Sequence, residues 1–232
     1  MTAETVPPEQ ALIAVVVFIL VIVLVVILVL IARRFWERER IRALQLAAAR
    51  YGLRYSPGDP FNLTRFRFTL FGKGQERGVC DCLDGTYQGL PLVVFGYSYR
   101  TGWGDHAVTH RFCALLAHLD FSGARLLIRP EGSLDRLAEF LGRDDIDFES
   151  AAFNRSFHVE GDKKFAYDIC HAEMMQFLMR HPGTTWELNK DFLLLSSARD
   201  GNLQVADVER CLGLATRFVG LIPRYLLAAG RT

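Results

Sequence analysis

The run ALIAVVVFILVIVLVVILVLIA, Ala11 to Ala32, is 22 residues without a charge, a proline, a glycine or a strongly polar side chain. As an α-helix it spans about 33 Å, close to the roughly 30 Å hydrocarbon core of a bilayer. Backbone N–H and C=O groups have no water to bond there, so one isolated span must be helical. A helix in a soluble core keeps a polar stripe, whereas this run is apolar around its whole circumference, with Ile22 at its centre. The segment therefore reads as a transmembrane helix.

A cleaved signal peptide fits less well. The first ten residues, MTAETVPPEQ, carry no Lys or Arg, the apolar run exceeds an ordinary h-region, and no small-x-small cleavage site follows. The run ends in Ala32-Arg33-Arg34-Phe35-Trp36, a stop-transfer flank. Arg33 and Arg34 are expected to touch lipid headgroups and Trp36 to sit at the interface. Basic residues near a span mark its cytoplasmic side. Here they all follow the helix, as Arg33, Arg34, Arg38, Arg40 and Arg42, diluted by Glu37 and Glu39. The expected topology is a single pass through the plasma membrane, N-terminus outside and C-terminal domain in the cytoplasm.

Composition agrees with that placement. An odd count of 5 cysteines without framework spacing suits a reducing compartment. A net charge of +1 provides no large basic face, so nucleic acid is not an expected partner.

The chain divides into a short extracytoplasmic N-terminus (1–10), the transmembrane helix (11–32), a juxtamembrane stalk helix (33–52) and a soluble domain (53–232), the last divisible into lobes 53–150 and 151–232. Ile41, Leu44, Ala48 and Tyr51 recur at helical spacing along the stalk, and Gly52 stops it. A turn-rich break at Ser56–Pro60 precedes the aromatic segment Phe61–Phe71, which reads as core. GVCDCL, LPLVVFGYSYR, HRFCALLAHL and ARLLIR read as four consecutive antiparallel strands. Ser133 caps a short helix carrying Leu134, Leu137, Ala138 and Leu141, and a strand follows at Phe157–Glu160. A helix over His171–Arg180 and two strands, TTWELN and DFLLLSS, joined by a tight turn near Lys190, come next. The clearest amphipathic repeat is Val205, Val208, Leu212, Ala215, Val219 and Ile222, ended by Pro223. Strands and helices do not alternate as in a doubly wound sheet, so the expected fold is α+β, antiparallel strands with amphipathic helices behind one transmembrane helix.

The segment DFESAAFNRSFHVEGDKKFAYDICHAEMMQFLMRHP resembles a bacterial family of membrane-anchored proteins with no assigned activity. Its pattern is an F-x-x-x-F-x-V strand, an acidic turn, a Phe-Ala stretch and a helix with paired Met, here Phe153, Phe157, Val159, Asp162, Phe165, Ala166, Met174 and Met175. RYGLRY, FGYSYRTG and LLIRPEG are similar to the actinobacterial branch. The resemblance implies a shared fold and membrane topology and carries no catalytic residues. Cys170-His171 departs from the pattern, which has an apolar residue and then a turn residue.

Two constellations carry conceivable chemistry. The Gly-rich loop Thr101–His110 gathers Asp105, His106 and His110, the densest acid–base group in the chain, with Trp103 beside them as a partner or membrane contact. As a hairpin loop it lacks a nucleophile signature or a phosphate-binding fingerprint. Cys80 and Cys82, two apart on a strand, place both thiols on one side, with Cys113 on a neighbouring strand. The C-x2-C knuckles of structural zinc sites are missing, so no metal and no cofactor is expected, and buried free thiols are the better reading. Arg129, Glu131, Glu149 and Arg155 flank short loops and read as ion pairs fixing loop geometry. Two functions follow: a membrane-tethered cytoplasmic binding or scaffold module with the bilayer and a membrane or cytoplasmic protein as partners, or a membrane-anchored hydrolase or metal-dependent enzyme using Asp105, His106 and His110. The absence of a catalytic signature favours the first.

Overall fold

A computed structural model of the chain describes residues 8–131 and 146–229. The helix expected from Ser133 lies outside the described residues. The fold is α+β. It has a long N-terminal helix, α1 (Pro8–Arg50), followed by an antiparallel sheet with short helices packed on it. Backbone contacts separate two compact units, the boundary falling after Leu44.

In the first unit, α1 is apolar all round from Val16 to Ile31, and the large side chains of that stretch all stand exposed. Among the described residues it is the one helix long and apolar enough to cross a membrane. Beyond the apolar stretch two arginines pair along the helix, Arg40 with Glu37 at 2.6 Å and Arg42 with Glu39 at 2.7 Å.

The second unit begins on the last turns of α1. Tyr51 donates its hydroxyl to Glu209 at 2.8 Å and meets Tyr87 edge-on at 5.7 Å. The strands are β1 (Leu53–Ser56), β2 (Gln75–Tyr87), β3 (Leu90–Thr101), β4 (Val108–Pro130), β5 (Phe157–Gly161) and β6 (Thr184–Ala198). They pair in the order β1-β2-β3-β4-β5, with β6 on β4 as well, all antiparallel. The short helices are α2 (Thr69–Gly72), α3 (Ala151–Ser156), α4 (Lys163–Ile169) and α5 (Ala172–Met179), followed by the longer α6 (Val205–Leu221) and by α7 (Arg224–Ala229).

Four of the expected strands merge into two. HRFCALLAHL and ARLLIR are parts of β4, and TTWELN and DFLLLSS are parts of β6. The polar stretches read as turns are bends: the β4–β6 register shifts between His118 and Leu126, and Gly123 lies opposite Lys190, which takes a left-handed φ of 56°. A Cβ on Gly123 would stand 2.5 Å from the Phe165 ring, so this close approach requires glycine. The bend flips the pleat. Before it the even-numbered Phe112, Ala114, Leu116 and Leu194 belong to one face, and beyond it Leu127, Arg129 and Glu187 continue that face.

Both faces are covered. On one, Leu63, Phe68, Leu70 and Phe71 from the segment before β2 pack on Phe95, Tyr97, Tyr99 and Ala114, so the aromatic segment is core as read. On the other, α6 buries Val208, Cys211, Leu212, Ala215 and Phe218, and Phe218 stacks on Trp186 of β6 at 4.8 Å with Phe177 of α5 edge-on at 5.6 Å. Of the repeat read from sequence, Val208, Leu212 and Ala215 lie on the buried face of α6 with Cys211, Leu214 and Phe218, Val205 and Val219 are half-buried and Ile222 is just past the helix end; α3 and α4 carry no repeat that the sequence shows. Both are single-turn-scale helices held by side-chain caps from Ser150 and Asp162. The start of α6 is closed by a Gln204–Asp207 capping box, and Arg199 at the end of β6 pairs with the same Asp207.

Phe218→Ala removes a fully buried ring from this stack, and we expect a loss of roughly 3–5 kcal/mol in unfolding free energy. Val108→Ala, at an exposed position, stays within about 0.5 kcal/mol. Chemical denaturation followed by near-ultraviolet circular dichroism measures both.

Candidate functional site

The loop that gathers the acid–base residues turns at Gly102 and Gly104, with φ of 78° and 58°, around a 3-10 turn at Gly104–His106. His106 is exposed and Trp103 is 79% exposed. His110 lies on β4, where its ring stacks on Tyr99 at 4.9 Å and its Nε2 is 2.8 Å from Thr101 Oγ1. The side chain of Asp105 is outside the described ones. Trp103 lies at the end of β3 remote from Tyr87 and Tyr51, since β3 runs 12 residues from Leu90 to Thr101 and so extends about 40 Å.

The cysteines separate because of one bulge. The β2–β3 register jumps between Cys80 and Leu83, and Asp81 there takes a φ of 53°. The strand-parity expectation that Cys80 and Cys82 share a side is thereby corrected. Cys80 is exposed opposite Gly96, whereas Cys82 lies fully buried among the aromatic cluster. Cys113 faces the helices, its Sγ 3.1 Å from that of Cys211 on α6. Burial pushes the Cys82 thiol up to about 12, helped by Asp59, and burial alone takes Cys170 to about 12. The hydrogen bond with Cys211, then burial, raises Cys113 well above its ordinary range. Among the described residues no three His, Cys, Asp or Glu side chains converge as a metal site would require.

The ion pairs expected among Arg129, Glu131, Glu149 and Arg155 do not form among the described residues. The polar centre of the domain lies elsewhere. Glu187 of β6 is 2% exposed. Its Oε2 accepts the Thr69 N–H at 2.8 Å, and its Oε1 accepts the Thr69 hydroxyl at 3.0 Å and the Arg125 Nε–H at 3.1 Å. Arg125 also donates to Glu160 at 3.4 Å and to Thr69 Oγ1 at 2.8 Å. One guanidinium is thus shared by two buried carboxylates. Glu187 caps α2, whose own N-cap residue, Phe68, supplies no side-chain bond.

Beside this cluster is a cavity of about 200 Å³ lined by Thr69, Lys73, Phe112, Leu127, Arg129 and Leu194 among others. Arg129 alone of the residues flagged in the sequence reaches it. The one sequence signal for the site is Glu187 itself, a carboxylate between Trp186 and Leu188 in an otherwise buried strand.

The chain matches no protein-family model and no curated protein. Among solved structures it is similar to the crystal structure of the mycobacterial trehalose monomycolate transport factor A, TtfA. The identity is 16%, the TM-score 0.53, and the match covers 80% of this chain and 97% of that one. The likeness is one of fold, and it ties the fold to an actinobacterial protein.

Two outcomes follow from the site. Cys82, Cys113, Cys170 and Cys211 are all buried, and at pH 8 a thiol raised to about 12, as at Cys82 and Cys170, is ionised in roughly one molecule in ten thousand, so a thiolate-directed reagent should modify Cys80 alone in the native protein and all five cysteines after unfolding. Mass spectrometry of the labelled chain reads this. Comparable native labelling of a second cysteine would contradict the burial described. Glu187→Ala leaves Thr69 and part of Arg125 without their acceptor and should lower stability by roughly 3 kcal/mol, with protease cleavage appearing first between residues 57 and 72.

Proposed function

Starting from a fold shared with a mycobacterial transport factor, we propose that this chain is a membrane-tethered accessory factor. The domain acts as a binding or scaffold module at the cytoplasmic face of the plasma membrane. The observation that carries this reading is α1, a single helix Pro8–Arg50 that holds the exposed apolar stretch and runs on into the second unit. In this reading Ala11–Ala32 span the bilayer in one pass, with Ile22 near its midplane, residues 33–52 form the stalk, and residues 53–232 work from it. Arg33, Arg34 and Trp36 meet the lipid headgroups, and Trp36 is 72% exposed as that role needs.

The direction across the membrane rests on the arginines, which all follow the span. The odd cysteine count suits the same side. The protein of similar fold is a transport factor, and by analogy the partner here is a membrane component of a transport system. Kinship with the actinobacterial membrane-anchored family is part of the same proposal. The hydrolase reading has less support, because the His110 ring is engaged by Tyr99 and Thr101.

Crosslinking in intact membranes followed by purification of the full chain should return a reproducible protein or lipid partner, and repeated recovery of none would defeat the proposal. A fluorescent protein fused at the C-terminus should be bright and an alkaline phosphatase fused there inactive. The reverse pattern would place the domain outside and remove the cytoplasmic partner class.

A further inference from the structure

The cavity beside Glu187 combines an apolar wall with a half-buried cation, Arg129. Phe112, Leu127 and Leu194 form the wall, and Lys73, Arg129 and Thr69 add polar groups. Both carboxylate oxygens of Glu187 are already engaged by Thr69 and Arg125, so its charge is answered within the wall. The Arg129 guanidinium, half-buried at the cavity, makes no hydrogen bond or ion pair with a described residue. A cation partly withdrawn from water beside apolar walls is stabilised by an anion that completes its bonding.

Size narrows the occupant. About 200 Å³ falls below the roughly 300–1,000 Å³ of drug-sized ligand sites and holds the volume of about seven waters. We infer that this cavity is a binding site for a small monoanionic amphiphile, a carboxylate on an apolar stem of about five carbons. The carboxylate pairs with Arg129, and the stem lies against Phe112, Leu127 and Leu194. Arginine suits the role because its planar fork matches a carboxylate in two parallel hydrogen bonds. The carboxylate is either that of a free short-chain acid or the end of a longer chain. This site is independent of whether the domain also captures a protein partner.

The test is calorimetric titration of the full chain in nanodiscs with sodium hexanoate, against empty nanodiscs as blank. Saturable one-site binding is expected, at least about tenfold tighter than acetate, which lacks the stem, or hexanol, which lacks the charge. Arg129→Gln should weaken it on the order of tenfold or more by removing a charge-assisted pair. Ala198→Trp, at an exposed rim position, should block it without disturbing the core, and Arg100→Gln, away from the cavity, should leave it unchanged. Dodecanoate binding as tightly as hexanoate assigns the site to a chain end, and weaker binding assigns it to a free short acid. Absence of saturable hexanoate binding overturns the inference, as does binding unaltered by both Arg129→Gln and Ala198→Trp. Acetate or inorganic phosphate binding as tightly as hexanoate overturns it too.

Discussion

The bend shared by β4 and β6 is the constraint on which the rest of the second unit depends. These two strands form one long ribbon, paired from Phe112–Ala198 to Ile128–Trp186, and every other layer is built against it. A pleated strand shows alternate residues to alternate faces, so an irregularity that changes the parity exchanges the two sets. The shifts around Gly123 and Lys190 do this in both strands at once. Trp186, Leu188, Leu126 and Ile128 thereby lie together in the far half of the ribbon, where Trp186 stacks under α6. Glu187 and Arg129 arrive on the opposite, aromatic face. A straight ribbon would send the tryptophan to the aromatic face and the carboxylate under α6.

Placing Glu187 there has a structural use that explains a buried charge. Helix α2 is four residues long, far below the length at which a helix holds itself in water. Its first N–H and the Thr69 hydroxyl are satisfied by a carboxylate 118 residues away in the chain. This fastens the segment that seals the aromatic core. Arg125 offsets the desolvation of Glu187 and Glu160 together. Ion groups of this kind contribute little net stability compared with apolar packing, but removing one member leaves the others buried and uncompensated. The cluster therefore fixes which surface the segment covers more than how strongly it is held.

The sequence shows the parts of this fold that are periodic and local. The apolar span, the amphipathic face of α6 and the strand alternation of Val93 to Tyr99 all repeat over enough residues to be read directly. Helices α3 and α4 are too short to show a period, and only their caps at Ser150 and Asp162 mark them. The polar residues at Asp120–Gly123 and Asn189–Asp191 do mark departures from a regular strand. A local signal reports that the backbone turns but not whether it reverses or merely bends, because that is decided by the partner strand. The same limit applies at Asp81, where one positive φ separates Cys80 from Cys82. The cavity is less legible still. Its lining comes from α2, both halves of β4 and both halves of β6, and no spacing in the sequence connects them.

The distribution of exposed apolar groups bears on what kind of partner a tethered module of this form requires. Outside the first unit, the large exposed apolar side chains among the described residues are Leu46, Trp103, Val108, Tyr167 and Tyr225. Tyr167 and Tyr225 already donate their hydroxyls to Asp147 and Asp168. Strong obligate interfaces bury large, predominantly apolar patches, and five such side chains among the described residues are few for one. A partner bound through such a surface is held weakly if both molecules diffuse freely. Anchoring changes the arithmetic, since two molecules confined to one membrane meet at an effective concentration that can reach the millimolar range without any added contact. For the tethered module proposed above, confinement would supply the encounter, and a modest surface would be sufficient for specificity.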